Sequence, residues 1–296
     1  MLLTLTNIVH LGNPHGDLLV AYDEPRGQLY VVNTLDENLL ILDPFSYQPL
    51  HEPIASGHRP NSLALDRHSG HLYICNEMSN SITVIDGTQL DAPVHSLRVG
   101  AFPGPIAVDG LTQQLYVAQG AERLIRQIDL TNSSTRFLTV DGPPVSLLID
   151  EVRSRLIVFN SAENQLYIID EKTGKTVHHA AGGRMLAFDE DNGRLYSTLT
   201  KTDTISVLDS DGHNHTFPAG NQPSTLLVDH KHGWLWITSA YDHSIRIIQL
   251  STERLLRTWY PQNQGERYQV GQPVAIGNQM WILSPLHGTA LVLENN

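Results

Sequence analysis

A fifteen-residue unit recurs seven times along the 296-residue chain, and this repeat restricts the fold more than any other feature. It reads LYVVNTLDENLLILD from Leu29, LYICNEMSNSITVID from Leu72, LYVAQGAERLIRQID from Leu115 and LIVFNSAENQLYIID from Leu156. It continues as LYSTLTKTDTISVLD from Leu195, LWITSAYDHSIRIIQ from Leu235 and MWILSPLHGTALVLE from Met280. The starts lie 43, 43, 41, 39, 40 and 45 residues apart. Each unit is an alternating apolar stretch, a polar turn and a second alternating stretch, which is the pattern of a β-hairpin. A shorter strand ending in Asp precedes most units, as at Asp66 and Asp229, and a more variable strand follows. Four antiparallel strands per period of about forty residues predict an all-β fold, a seven-bladed β-propeller of four-stranded antiparallel blades. It is expected to form a single domain over residues 1–296.

The side-chain alternation carries the same expectation. Tyr30, Tyr73, Tyr116, Tyr196, Trp236 and Trp281 fall on one face of the second strand, while Leu29, Val31 and their equivalents fall on the other. Both faces are apolar, as they must be when each blade packs between two others. The last unit ends at Glu294 without a fourth strand to follow, and residues 5–11 read as a strand with no blade of its own. Pairing the two closes the fold and removes both exposed edges.

Composition narrows the partners. Nineteen Lys and Arg against 31 Asp and Glu give a formal net charge of −12, and no basic run breaks that balance. Nucleic acid and anionic membrane surfaces are therefore not expected partners. No apolar run approaches a membrane span, and the first residues lack the basic start, long apolar stretch and cleavage site of a secretory signal. With Cys75 as the single cysteine, a cytoplasmic setting is expected. Cys75 falls inside an apolar strand and reads as core rather than as a nucleophile.

The second-strand text Tyr30-Val31-Val32-Asn33 and Tyr73-Ile74-Cys75-Asn76 resembles the Tyr-Val-Thr-Asn pattern of YVTN-type propeller repeats. The preceding strands, Pro60 through Asp66 and Pro103 through Asp109, are similar too, and the likeness runs over essentially the whole chain. It implies the fold and leaves the activity to be read from the site. Gluconolactonase-like propellers and virginiamycin B lyase share the architecture. The Glu that the former place near the first inner strand is replaced here by Asp17-Leu18-Leu19. Where the lyase commonly has Glu at its second-strand ends, this chain has Asn33, Asn76, Gln119, Asn160, Leu199, Ser239 and Ser284.

The Asp residues that recur with every blade are read as turn formers, because a short carboxylate accepts the N–H groups of the turn that follows it. The opposite face, which carries the loops between blades and the hairpin turns, diverges from copy to copy. That face is expected to bind, around the mouth of the channel. Its expected ligand contacts are Arg184, the only charge among the inner-rim positions, with Asn76, Gln119, Asn160, Arg59 and Tyr241. His15, His58, His243 and His287 are placed on the same face. Of these, His15, His243 and His287 are the candidates for acid–base work or for holding a metal. The segment 260–268 is long enough to form a lip over them. The expected function is a binding propeller that takes a small molecule or protein. The alternative is a lyase or lactonase-type enzyme whose site at the same face uses those histidines, with or without a divalent metal. No cofactor is predicted.

Overall fold

In the computed structural model, which describes residues 3–119, 122–263 and 266–295, nearly every ordered element is a strand, and the one short helix is the 3₁₀ turn Pro285–His287. Among the described residues no helix is long and apolar enough to cross a membrane. The strands form seven four-stranded antiparallel sheets, the blades of a seven-bladed β-propeller. Blade one is Leu18–Asp23, Gln28–Asn33, Asn38–Leu42 and Ile54–Ala55, each strand paired with the next. Blades two, three and four begin at Pro60–Leu65, Pro103–Asp109 and Pro144–Asp150, and blades five and six at Leu186–Asp189 and Pro223–Asp229.

The seventh sheet breaks the chain order. Pro273–Ile276, Gln279–Ser284 and Thr289–Asn295 run in sequence, and the outermost place is taken by Leu3–His10. That strand runs antiparallel to Thr289–Asn295, from Leu3 opposite Asn295 to His10 opposite Thr289, with one irregularity between Leu5 and Asn7. The closing strand expected from the sequence is therefore present.

The chain divides into two compact units. Gly16–His179 holds blades one to four up to the outer strand of blade four, and Met1–His15 with Ala180–Asn296 holds blades five to seven. Within each unit the core lies between consecutive blades. Tyr30, Val32, Leu39 and Ile41 of blade one meet Leu72, Ile74 and Ile85 of blade two. Tyr73, Cys75 and Ile82 meet Leu115, Val117 and Ile128 of blade three. In the other unit, Trp236, Ile245 and Ile247 of blade six meet Met280, Ile282, Leu291 and Leu293 of blade seven, with Leu5 packed against them. One face of each second strand thus fills the gap toward the next blade, as the alternation requires.

The hairpin turns share one backbone device. The last turn residue is left-handed in every blade: Glu37, Asn80, Arg123, Asn164, Asp203, His243 and Gly288 all have φ between 52° and 62°. Six of these seven carry a side chain where glycine would be easier, at a cost of order 1 kcal/mol each. What several of those side chains do in return defines the loop face.

Candidate functional site

Several loops between blades are held from beneath, from the side or both. From beneath, the polar residue ending the second strand grips the loop glycine. Asn76 Oδ1 accepts from Gly57 N at 2.9 Å, while its amide donates to Thr83 Oγ1 at 2.9 Å and Ile74 O at 3.2 Å. Gln119, with its amide oriented to satisfy both neighbours, accepts from Gly100 N at 3.1 Å and donates to Glu122 Oε2 at 3.2 Å. A Cβ on Gly16 would lie 2.2 Å from Asn33 Oδ1, and one on Gly142 would lie 2.2 Å from Asn160 Nδ2. The glycines are required by this close approach. Asn76, Gln119 and Asn160, expected to contact ligand, are buried under the loops.

From the side, the left-handed hairpin residue reaches the next loop. Glu37 accepts from Arg59 N at 2.9 Å and from His58 Nδ1 at 2.8 Å, and these bonds hold its carboxyl below the usual range. Asn80 Oδ1 accepts from Phe102 N, and Asp203 Oδ1 from Gln222 N, at 2.9 and 2.8 Å. Arg59 itself has φ 56° and extends an exposed guanidinium that lies 3.4 Å from Glu77 Oε2.

In the unit of blades five to seven this bracing encloses an open groove of ≈ 690 Å³. Thr200, Lys201, Asp203, Asn221, Gln222 and Tyr241 line it. Its floor is tied by Thr200 Oγ1 donating to Pro223 O at 3.0 Å, by Ser239 Oγ donating to Asn221 O and by Ala240 N donating to Gln222 O at 3.3 Å. Tyr241 stands at the hairpin tip with 67% of its surface exposed. A rigid polar floor beside an exposed aromatic ring is the composition of a binding surface. Tyr241 was among the ligand contacts expected from the sequence. The other five lining residues were not, because they come from two different blades and only the fold joins them.

The histidines do not gather. Among the described residues the one group of three whose ligand atoms all lie within 4.8 Å of one another is Asp189, Asp191 and His230, on the opposite, Asp-bearing face. His15 is exposed at φ 69°, its N–H donating to Pro285 O at 2.8 Å. His243 is half-buried and its Nδ1 has no partner. His287 is the most constrained: Nδ1 lies 2.7 Å from Ser284 Oγ, and its ring stacks on Tyr268 with centroids 4.1 Å apart. Tyr268 is where the expected lip returns to the core, after the short pair Gln262–Asn263 and Glu266–Arg267. Gln264 and Gly265 of that lip fall outside the described residues. Arg184 is exposed in the loop entering blade five.

Solved structures share the whole fold. A chain of Kuenenia stuttgartiensis hydrazine synthase matches with a TM-score of 0.78 and 14% identity, covering 96% of this chain and 97% of its own. The Cps50 (Swd1) β-propeller domain of Myceliophteria thermophila matches with a TM-score of 0.81 and 12% identity, covering 99% and 100%. The fold is a propeller fold. No protein-family model and no curated protein sequence matches the chain. Likeness at this identity carries the architecture and no activity.

Cys75 is fully buried, and burial, with a smaller effect from Glu77, pushes its thiol up to about 12. Iodoacetamide at pH 8 is expected to leave it unmodified in the folded protein and to label it once in urea, read by intact mass. Stoichiometric labelling of the native chain would contradict this burial.

Proposed function

We propose that the chain is a binding propeller that takes a protein partner, as an extended peptide segment, on the loop face of blades five and six. The observation that carries this reading is the groove beside Tyr241. Lys201 and Asp203 offer charges of both signs, Asn221 and Gln222 offer amides to a peptide backbone, and Tyr241 offers an apolar face. The bracing beneath means little entropy is lost on binding. The YVTN-type membership of the chain is supported by the tyrosine packed between blades and the asparagine fixed under the loop glycine. A reducing, cytoplasmic setting agrees with the single buried thiol.

Peptides selected from a displayed library on the immobilised chain should lose at least about tenfold in affinity on Tyr241→Ala, since an exposed aromatic anchor carries ~1.4 kcal/mol or more. The melting temperature should move by less than about 1 °C, because nothing packs over that ring. Peptides that bind the Tyr241→Ala chain as tightly as the wild type would overturn this reading.

A second reading, a lyase or lactonase-type hydrolase, is favoured by the contact between Ser284 Oγ and His287 Nδ1. Ser284 is fully buried, which keeps its hydroxyl from any substrate and ranks this reading second. Its measurement is turnover of a lactone and ester panel with His287→Ala and Arg184→Ala as controls.

A further inference from the structure

Six blades end their first strand in Asp, and five of those carboxylates are satisfied in the same way. One oxygen accepts turn N–H groups, and the second takes a side-chain donor from three residues on. Arg26 serves Asp23 at 2.8 Å, Ser69 serves Asp66 at 2.6 Å, Arg153 serves Asp150 at 3.4 Å, Asn192 serves Asp189 at 2.6 Å and His232 serves Asp229 at 2.9 Å. Asp109 departs from the rule. Its Oδ1 accepts from Leu111 N and Thr112 N, each at 2.8 Å, but its Oδ2 is buried without a donor.

The residue that faces it departs from the repeat as well. The position after each third strand holds Pro44, Gly87, Leu130, Glu171, Ser210, Leu250 and Asn295. The backbone is equivalent in at least four of them, since Gly87, Leu130, Glu171 and Leu250 all donate to the turn of the same blade at 2.9 to 3.1 Å. Gly87 sits against the Tyr30 hydroxyl, which finds its partner in Gln28 Oε1. Two interfaces further on, Glu171 takes that place against Tyr116. Glu171 is 4% exposed, and the Tyr116 hydroxyl beside it, buried and with no other partner, is the one neighbouring hydroxyl that can donate to its carboxylate. Asp109 is the carboxyl nearest in effect to Glu171, and Glu151 adds its field from the neighbouring turn. Burial, with Asp109 behind it, pushes the Glu171 carboxyl up to about 8.

Three coincident departures bury three carboxylate oxygens together, with the Tyr116 phenol and the proton held by the raised Glu171 carboxyl as the donors within reach. Two buried carboxylates in that state are strongly unfavourable unless something positive or protic joins them. Glu171 also borders a cavity of ≈ 360 Å³, with Gln114, Gln127, Asp129 and Arg136 among its walls, so the cluster has a path to solvent. The donor set is oxygen only, would carry two negative charges once a cation displaces the Glu171 proton, and includes no imidazole or thiolate, which selects a hard cation over zinc or copper.

We propose that Asp109, Glu171 and Tyr116 form a binding site for a divalent cation of the calcium type, filled through the cavity between blades three and four. The ion would pin the outer part of blade four to the first-strand end of blade three. It is separate from the groove beside Tyr241 and independent of any partner bound there.

The full chain, stripped with EGTA and dialysed, is melted with and without 1 mM CaCl₂. Calcium should raise the wild-type melting temperature by about 5 °C or more. Glu171→Gln and Asp109→Asn should lose that rise, and Asp91→Asn, a fully exposed carboxylate, should keep it. Terbium supplies a readout that needs no variant. Excitation of tyrosine should give sensitised emission from one ion per chain, displaced by calcium and dimmed in Tyr116→Phe. The proposal is overturned if calcium gives no shift and terbium no displaceable emission. It is equally overturned if Glu171→Gln keeps the full calcium response. A proton shared by the two carboxyls would give the first pattern, together with a Glu171→Gln chain that melts higher than the wild type.

Discussion

A chain lacking residues 1–11 is expected to lose at least about 10 °C of melting temperature, or to aggregate before it melts. The deleted strand supplies one whole side of the seventh sheet. Its backbone pairs along Thr289–Asn295, Leu11 N donates to Gly288 O at 2.8 Å and Thr6 Oγ1 donates to Val292 O at 3.2 Å. Val9 and Leu11 are buried and Leu5 packs against the core between blades six and seven. A buried Leu or Val contributes roughly 1.5–3 kcal/mol and each ladder bond ~0.5–1.5 kcal/mol net, so the loss exceeds what one blade can absorb. The truncation also bares Thr289–Asn295 as an unpaired apolar edge. Calorimetry and size-exclusion chromatography check the outcome. A soluble truncated chain melting within about 2 °C of the full one would remove the strand from its closing role.

The second large effect is Asn76→Ala, which should lower the melting temperature by about 5–10 °C, measured by circular dichroism. Asn76 is fully buried and its truncation strands the Gly57 N–H and the Thr83 hydroxyl. Each unsatisfied buried group costs ~1–3 kcal/mol, and the space left by the amide adds to that. Peptide affinity at the Tyr241 groove should stay within about twofold, because that groove lies in the other compact unit. Tyr241→Ala should give the mirror image, with affinity lost and stability kept. A tolerated Asn76→Ala would mean that the loop does not depend on this asparagine.

These residues show where the sequence is readable and where it stops. Leu29, Tyr30 and their counterparts alternate in plain view, because sheet burial imposes a period of two on the text itself. Asn76 could not be read correctly, because its partner Gly57 lies 19 residues upstream and only the loop backbone joins them. Its polarity at a strand end looked like ligand contact when it is loop support. His15, His243 and His287 were placed on one face, but face is a coarser property than distance, and their ring nitrogens stay apart. Asp109 looked identical to five other Asp residues. The sign that it differs was present in Glu171, the one acidic residue in its column of the repeat.

The pairing of the first strand with the last also sets the order of events during synthesis. Thr6 and its partner Val292 are 286 residues apart, so a strand made before all seven blades is paired only after the last of them. At roughly 5–20 residues per second, it waits about 15 to 60 s on the ribosome without its neighbour. Blades one to four can collapse on their own contacts during that interval. The seventh sheet cannot, and the strand Leu3–His10 stays unpaired throughout. Faster elongation or a prompt holding chaperone should therefore raise the yield of soluble protein more than any change to the blades already made.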